Sequence, residues 1–89
     1  MTTAAATTVR VRYFAGARAA AGVNEETVRL PADARVRDLV ADLADRHGDA
    51  LTRVLTACSF LLDGVAVRDK ANPLPDGSEV DVLPPFAGG

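Results

Sequence analysis

The chain is poor in the side chains on which most catalytic and metal sites depend. It contains a single cysteine, Cys58, and a single histidine, His47. One cysteine excludes an internal disulfide and every zinc site built from several thiolates, and one histidine leaves few routes to a metal site or a histidine-based triad. Residue counts therefore exclude most catalytic constellations, and the sequence predicts neither a bound metal nor a bound cofactor.

An excess of charge of one sign is also absent. Ten lysine and arginine residues stand against twelve aspartate and glutamate residues, which gives a net charge of −2. Proteins that bind nucleic acid usually carry a basic excess that neutralises phosphates. Nucleic acid is therefore not an expected partner.

Long hydrophobic runs are missing as well. No stretch approaches the roughly 18 apolar residues that a transmembrane helix requires. Residues 1–8 have neither the basic start nor the hydrophobic run of a signal peptide. We therefore expect a cytoplasmic protein with no membrane partner.

What the chain does contain fits one small domain. Its 89 residues are 48% hydrophobic and 25% charged, which is typical of a globular chain. A domain of this size buries roughly 60 to 65% of its unfolded surface. Residues 1–8 are small and polar and predict a disordered lead-in, residues 9–84 predict the folded domain, and residues 85–89 predict a flexible tail.

Alternation of apolar and charged residues marks the first two strands. In residues 9–13, valines and a tyrosine alternate with arginines, which is the period of a half-buried strand. Residues 26–30 repeat this alternation, so the two segments predict a hairpin. The connection, residues 15–24, contains two glycines and a run of alanines and is predicted as a long loop with room for a helical turn.

The spacing of apolar residues then changes to that of an amphipathic helix. Gly48 suits the C-terminal cap of this helix. The hydrophobic phase places the N-cap at Arg35, whose side chain cannot accept a hydrogen bond from the first-turn amides, although Asp38 suits the helix dipole there. The residues that recur at intervals of three and four are Val36, Leu39, Val40, Leu43 and Ala44.

The second half of the chain predicts a further helix and three strands. Residues 51–55 have the spacing of a shorter helix. Residues 59–62 form a compact apolar strand that ends at the tight turn of residues 63–64, and residues 65–67 return from it. Valines alternate with acidic residues in a last strand around residues 80–82.

This order of elements favours an α+β fold. A first and a last strand that flank a crossing helix are expected to lie parallel in the middle of a mixed sheet, with the main helix packed on one face. The predicted architecture is the ubiquitin-like β-grasp.

The ending of the chain, residues 84–89, has the composition of a reactive tail. Consecutive prolines project a peptide in an extended conformation, and glycines let it thread a narrow channel and present an unhindered carbonyl. Adenylation by ATP would convert the Gly89 carboxylate into an anhydride that a thiol, a persulfide or an amine attacks. Taken alone, two final glycines are better explained as a frayed end. Their position after a β-grasp strand favours the functional interpretation.

These features together resemble the small subunit of molybdopterin synthase, the MoaD family of ubiquitin-like sulfur carriers. The resemblance covers residues 9–89, and its most specific part is the ending. The matching pieces are residues 11–15 with Arg18 and Gly22, residues 61–64, residues 76–80 and residues 83–89.

The resemblance implies a sulfur-donating role without catalysis by this chain. A MoeB-like adenylyltransferase would use ATP to convert Gly89, which follows Gly88, to an acyl adenylate, and sulfur transfer would leave a C-terminal thiocarboxylate. The large subunit, MoaE, would receive the loaded tail in its active site and convert cyclic pyranopterin monophosphate to molybdopterin. The family's usual assembly is a heterotetramer with the large subunit.

Other functions share this fold and this ending. Carriers of the thiamine pathway (ThiS) share the fold and the Gly-Gly end, and carriers of the cysteine pathway (CysO) end in a similar way. A protein modifier would join its last glycine to lysines of target proteins, and a simple binding module would have an inert tail.

Strand phase predicts a docking patch beside the tail. Phe14 follows the inward-facing Tyr13, so it must point to the charged face of its strand, and Leu83 falls on the charged face of the last strand. If these strands are parallel neighbours, both side chains lie at the same end in an exposed apolar patch. We expect this patch, with Arg18 as a polar contact, to dock the large subunit and the activating enzyme. The predicted partner-binding set also includes Pro84, Pro85, Phe86 and Ala87.

The other candidate residues have simpler interpretations. Cys58 precedes an apolar strand and is predicted to be a small buried hydrophobe. His47 is predicted to be a helix-end cation, and the sequence shows no partner that would make it a base or a metal ligand. The helical spacing of Asp38, Asp42 and Asp45 indicates a solvated face rather than a calcium site.

Overall fold

A computed structural model describes residues 6–85 of the chain. These residues form five strands and three helices. In chain order the elements are β1 (Ala6–Tyr13), α1 (Ala15–Ala21), β2 (Glu25–Pro31), α2 (Val36–His47), α3 (Asp49–Leu55), β3 (Ser59–Leu62), β4 (Val65–Ala66) and β5 (Glu79–Leu83).

The strands form one mixed sheet. Its five strands lie in the order β2-β1-β5-β3-β4. The central pair, β1 and β5, is parallel, with Tyr13 opposite Val82, and the other pairs are antiparallel. The predicted mixed sheet, the hairpin of the first two strands and the parallel pair at the centre are all confirmed.

The core lies between one face of this sheet and the helices. Valines of β1, β2 and β5 point to that face, and α2 covers them with Val36, Leu39 and Leu43, which are fully buried. The predicted amphipathic helix and the predicted second, shorter helix are confirmed. Because successive strand residues point to opposite faces, the intervening residues, such as Arg10 and Arg12 of β1, lie on the other face of the sheet.

The start of α2 shows how an arginine serves at the N-cap. The Asp38 carboxylate accepts a hydrogen bond from the Arg35 amide at 2.8 Å, while the Arg35 guanidinium donates to the Ala71 carbonyl at 2.7 Å. The acidic residue thus takes over part of the capping that the Arg35 side chain cannot provide. At the other end, Gly48 has a φ of 82° and its amide donates to the Ala44 carbonyl, in agreement with the predicted C-cap.

The structure corrects the predicted N-terminal boundary of the domain. Residues 6–8 belong to β1 and pair with the end of β2, where Ala6 lies opposite Pro31. Thr7 is buried, and the Thr8 amide donates to the Asp76 carboxylate at 2.8 Å. Backbone pairing and this long-range bond order a segment that looks featureless in sequence. The rest of the predicted lead-in, residues 1–5, lies outside the described residues.

The structure also corrects the predicted connection between β1 and β2. It was predicted to be mainly a loop, but it contains the helix α1, which begins after Phe14 and ends at Gly22 with a φ of 81°. Alanine has the highest helix propensity, and its small side chain lets α1 approach the core closely, where Ala17 is fully buried. Within residues 6–85, no helix is long and apolar enough to cross a membrane.

Candidate functional site

The predicted docking residues of the described chain lie together at one end of the sheet. Phe14, Arg18, Leu83, Pro84 and Pro85 line a single open groove of about 600 Å³, which Ala15 and Ser59 complete. The parallel register of β1 and β5 explains this, because Phe14 and Leu83 each follow one member of the pair Tyr13 and Val82. The predicted juxtaposition of these residues is confirmed.

The groove differs in one respect from the predicted patch. Phe14, Leu83 and Pro84 are half-buried rather than fully exposed, whereas Ala15 and Pro85 are exposed. The cause is local: α1 begins directly after Phe14, and Ser59 of β3 pairs with Leu83. A partner would therefore meet a shallow recess with apolar walls instead of protruding rings.

The backbone of Phe14 is fixed by both neighbouring elements. Its amide donates to the Val82 carbonyl at 3.2 Å, which extends the central parallel pairing. Its carbonyl accepts from the Ala17 amide at 3.0 Å and begins α1. Phe14 is thus the N-cap of α1 and also continues the pairing of β1 with β5 by one residue, so both elements fix its place in the groove wall.

The tail leaves the domain beside this groove. Pro84 and Pro85 follow β5 and line the groove wall. Phe86, Ala87, Gly88 and Gly89, which carry the rest of the predicted site, lie outside the described residues. Their roles therefore stay predictions.

An ion pair on the outer sheet face was missed in the sequence. Arg12 donates to Asp81 through Nε at 2.8 Å and through Nη2 at 3.0 Å, and the two residues are directly opposite in the register of β1 and β5. The hydrogen bond to Asp81 raises the pKa of Arg12. The Arg12 guanidinium also lies 5.7 Å from the centre of the Phe14 ring. The only signal in the sequence was the shared strand phase of Arg12 and Asp81.

His47 has a partner that the sequence did not reveal. Its Nε2 lies 2.5 Å from Oε2 of Glu26, which also accepts a hydrogen bond from the Tyr13 hydroxyl at 2.5 Å. Arg46 contacts the same carboxylate at 3.2 Å. Burial and then the hydrogen bond to Glu26 raise the pKa of Tyr13. This cluster ties the end of α2 to the β1–β2 hairpin. His47 thus lies at the helix end, as predicted, and has in addition a structural contact that the sequence did not reveal.

The Glu26 cluster predicts a specific loss of stability in acid. Burial alone would raise the pKa of Glu26, but hydrogen bonds from Tyr13, His47 and Arg46 outweigh it and lower the pKa below its ordinary 4.5. A carboxylate with a lowered pKa stabilises the fold fully above its unfolded pKa, and this contribution is lost as the pH falls through the folded value. The melting temperature of Glu26→Gln should therefore be well below that of the wild type at pH 7. The difference between the two melting temperatures should narrow below pH 4.5.

A matched control for this prediction is Glu25→Gln. Glu25 precedes Glu26 on the same strand but makes only an exposed ion pair with Arg10 at 3.6 Å. The melting temperature of the Glu25→Gln variant should match that of the wild type both at pH 7 and below pH 4.5, since exposed ion pairs contribute little to stability. If the difference in melting temperature between Glu26→Gln and the wild type stays constant down to pH 3, the ionised Glu26 carboxylate does not stabilise the fold as proposed.

The remaining candidates behave as structural residues. The Cys58 thiol is half-buried and donates to the Val54 carbonyl at 3.1 Å, and burial raises the pKa of this thiol. Asp42 pairs with Arg46 at 3.1 Å across one helical turn. In the part of the chain that the structure describes, no group of three or more histidine, cysteine, aspartate or glutamate residues could hold a metal ion.

Comparison with known proteins gives consistent matches over nearly the whole chain. The sequence profile of the ThiS family matches residues 11–89. The molybdopterin synthase sulfur carrier subunit of Chlamydomonas reinhardtii is 42% identical, over 91% of this chain and 98% of that protein. The human protein of the same name is 32% identical, over 91% of this chain and 93% of its own length.

Solved structures share the fold. A putative molybdopterin converting factor subunit 1 from Pyrococcus furiosus has a TM-score of 0.81 and 34% identity, over 89% of this chain and 98% of its own. Small archaeal modifier protein 1 from Methanosarcina acetivorans has a TM-score of 0.78 and 26% identity, over 96% of this chain and 99% of its own.

One of the similar structures contains two subunits. It is the complex of subunits 1 and 2 of the molybdopterin-converting factor from Helicobacter pylori, with a TM-score of 0.67 and 28% identity, over 93% of this chain and 100% of the matched chain. The solved structures confirm the predicted ubiquitin-like β-grasp, and the curated relatives confirm the predicted resemblance to the sulfur carrier subunit of molybdopterin synthase. The chain belongs to the ThiS family.

Proposed function

We propose that this chain is the sulfur carrier subunit of a molybdopterin synthase. The observation that carries the proposal is the 42% identity to an algal protein of that name over 91% of the chain. The family match supports it further, because it extends to residue 89 and so includes the Gly-Gly ending.

The proposed reaction centre is the Gly89 carboxylate. A carboxylate oxygen attacks the α-phosphorus of ATP on the activating enzyme, pyrophosphate leaves, and an acyl adenylate forms. Hydrosulfide that attacks the carbonyl carbon displaces AMP and gives the thiocarboxylate directly. If the nucleophile is instead a persulfide of a donor protein, displacement of AMP gives an acyl disulfide, and a thiol must then cleave its S–S bond to release the thiocarboxylate, with the thiol and the donor sulfur joined as a disulfide. Neither Gly88 nor Gly89 carries a side chain beside the carbonyl, so the nucleophile has free access.

The proposed docking site is the groove beside the tail. Phe14, Leu83 and Pro84 supply half-buried apolar surface there, and Arg18 supplies a charge at its edge. Apolar contacts that become buried at the centre of an interface usually dominate binding energy. We assign this groove to the large subunit, a partner that the two-subunit Helicobacter pylori structure supports. Residues Phe86 and Ala87 would follow the tail into the partner.

The activating enzyme would need the same end of the domain. It must hold the tail while it adenylates Gly89, so we propose that a MoeB-like adenylyltransferase and the large subunit bind this surface in turn. A heterotetramer with the large subunit and a cytoplasmic location complete the proposal.

Reconstitution tests the proposed function directly. The chain is treated with the activating enzyme, ATP and a sulfur donor, purified, and added to the large subunit with cyclic pyranopterin monophosphate. We expect molybdopterin to form in proportion to the loaded chain, and none to form with the untreated chain. A loaded chain that yields no molybdopterin, while a known carrier does so with the same large subunit, would contradict the proposal.

A protein modifier is the second candidate function. The likeness to small archaeal modifier protein 1 at a TM-score of 0.78 favours it. In that case an amine of a target protein would attack the acyl adenylate, and an amide bond would form with loss of AMP. Higher-mass conjugates on a denaturing gel, absent when Gly89 is deleted, would support this function.

A further inference from the structure

The main chain of Phe14 is fixed, but its backbone hydrogen bonds do not fix the orientation of its side chain. Hydrogen bonds to Val82 and from Ala17 fix the main chain. Backbone hydrogen bonds do not set the side-chain torsions of Phe14, and its half-buried ring lines an open groove. A ring that binds a partner from such a position loses rotational freedom, which weakens binding unless the ring is already oriented.

Arg12 provides this restraint on the ring. It lies on the same sheet face as Phe14, and its guanidinium is 5.7 Å from the ring centre, within the range of a cation–π contact. The guanidinium itself is held by Asp81 through two parallel hydrogen bonds of 2.8 and 3.0 Å, a geometry that fixes its plane. The Asp81 side chain is only 12% exposed, whereas that of Arg12 is 42% exposed.

The three residues form a chain of contacts that runs from the sheet to the groove. Asp81 lies between Arg12 on β1 and Leu61 on β3, so the sheet backbone sets its place. We propose that Arg12, held by Asp81, is a positioning residue that fixes the ring of Phe14 in the orientation that the partner protein binds. This inference rests on the proposed docking role of Phe14.

A double-mutant cycle between Arg12 and Phe14 tests the inference. Affinity for the purified large subunit is measured by calorimetry for the wild type, Arg12→Leu, Phe14→Ala and the double variant. We expect Arg12→Leu to weaken binding about three- to fivefold in the wild-type background. In the Phe14→Ala background we expect Arg12→Leu to have no further effect, because the ring that it orients is missing.

Arg10 offers a matched control. It lies on the same strand and the same face as Arg12, and it pairs with Glu25 at 3.6 Å, both side chains being more than half exposed. The Arg10→Leu variant removes the same charge and should leave the affinity unchanged. Equal weakening by Arg10→Leu and Arg12→Leu would show a general charge effect and overturn the inference.

A second variant distinguishes weaker binding caused by a misoriented Phe14 ring from weaker binding caused by a destabilised fold. Arg12→Leu leaves Asp81 without its cation in a nearly buried place, which destabilises a protein. The pair Arg12→Leu with Asp81→Asn removes both charges, and we expect it to melt close to the wild type yet bind the large subunit as weakly as Arg12→Leu. Wild-type affinity in this neutral pair would overturn the inference.

The outcomes also distinguish this inference from the proposed function. If Phe14→Ala alone leaves the affinity unchanged, the docking role of the groove fails. If Phe14→Ala weakens binding but Arg12→Leu does not, or if both effects simply add, only the positioning role fails. Additive effects would mean that Arg12 contacts the partner independently of the ring.

Discussion

A chain that lacks Gly89 is expected to form no thiocarboxylate and to support no molybdopterin synthesis. The shortened chain would end at Gly88, so its carboxylate would stop one residue short of the catalytic centre of the activating enzyme. Misplacement of a reacting group by 1 Å can cost about 100-fold in rate, and one extended residue spans about 3.5 Å. The expected effect is therefore a complete loss of sulfur transfer rather than a reduced rate.

The same deletion should leave the fold intact. The buried hydrophobic core of the described chain extends from Val9 to Val82, well before the deleted residue. Thermal unfolding of the shortened chain is expected to match that of the full chain. Removal of residues 1–5 is the matched control, since it shortens the other end of the chain and should leave sulfur transfer unchanged. Sulfur transfer by the chain without Gly89 would contradict the mechanism.

Phe14→Ala has the second largest expected effect. The ring lines the groove beside Leu83, where a docked partner would bury it completely. Loss of a central aromatic anchor weakens protein interfaces by about 10- to 100-fold in affinity. Titration calorimetry with the large subunit, and separately with the activating enzyme, should show this weakening for both partners.

Val65→Ala is the control for Phe14→Ala. Val65 is 69% exposed on the edge strand β4 and does not line the groove. It is an apolar surface residue of the kind that a nonspecific hydrophobic contact would use, so its replacement should leave both affinities unchanged. Similar losses for the two variants would mean that the groove is not the docking site.

Periodicity in the sequence was enough to predict the framework that places the groove. The recurrence of Val36, Leu39 and Leu43 predicted α2, because a helix that covers a sheet must bury one stripe. The parallel pairing of β1 and β5 followed from the order of elements. Strand phase then assigned Phe14 and Leu83 to the outer face, which the structure confirms.

Contacts between distant residues were beyond such reasoning. The pairs of Arg12 with Asp81 and of Glu26 with His47 join side chains that are far apart in sequence, and only the strand register and the helix position bring them together. The helix α1 was missed because a short run of alanines between glycines has no apolar periodicity, and it is stabilised by packing of Ala17. Strand β1 begins at residue 6 because residues 6–8 pair with the end of β2. These residues are small and show no alternation, so the sequence does not indicate this pairing.

The most direct test of the central claim is the intact mass of the chain after incubation with the activating enzyme, ATP and a sulfur donor. The account predicts that one oxygen is replaced by one sulfur, and that fragmentation places the change in the peptide that ends at Gly89. An unchanged mass, under conditions in which the same enzyme loads a known carrier, would contradict the assignment of this chain as a sulfur carrier.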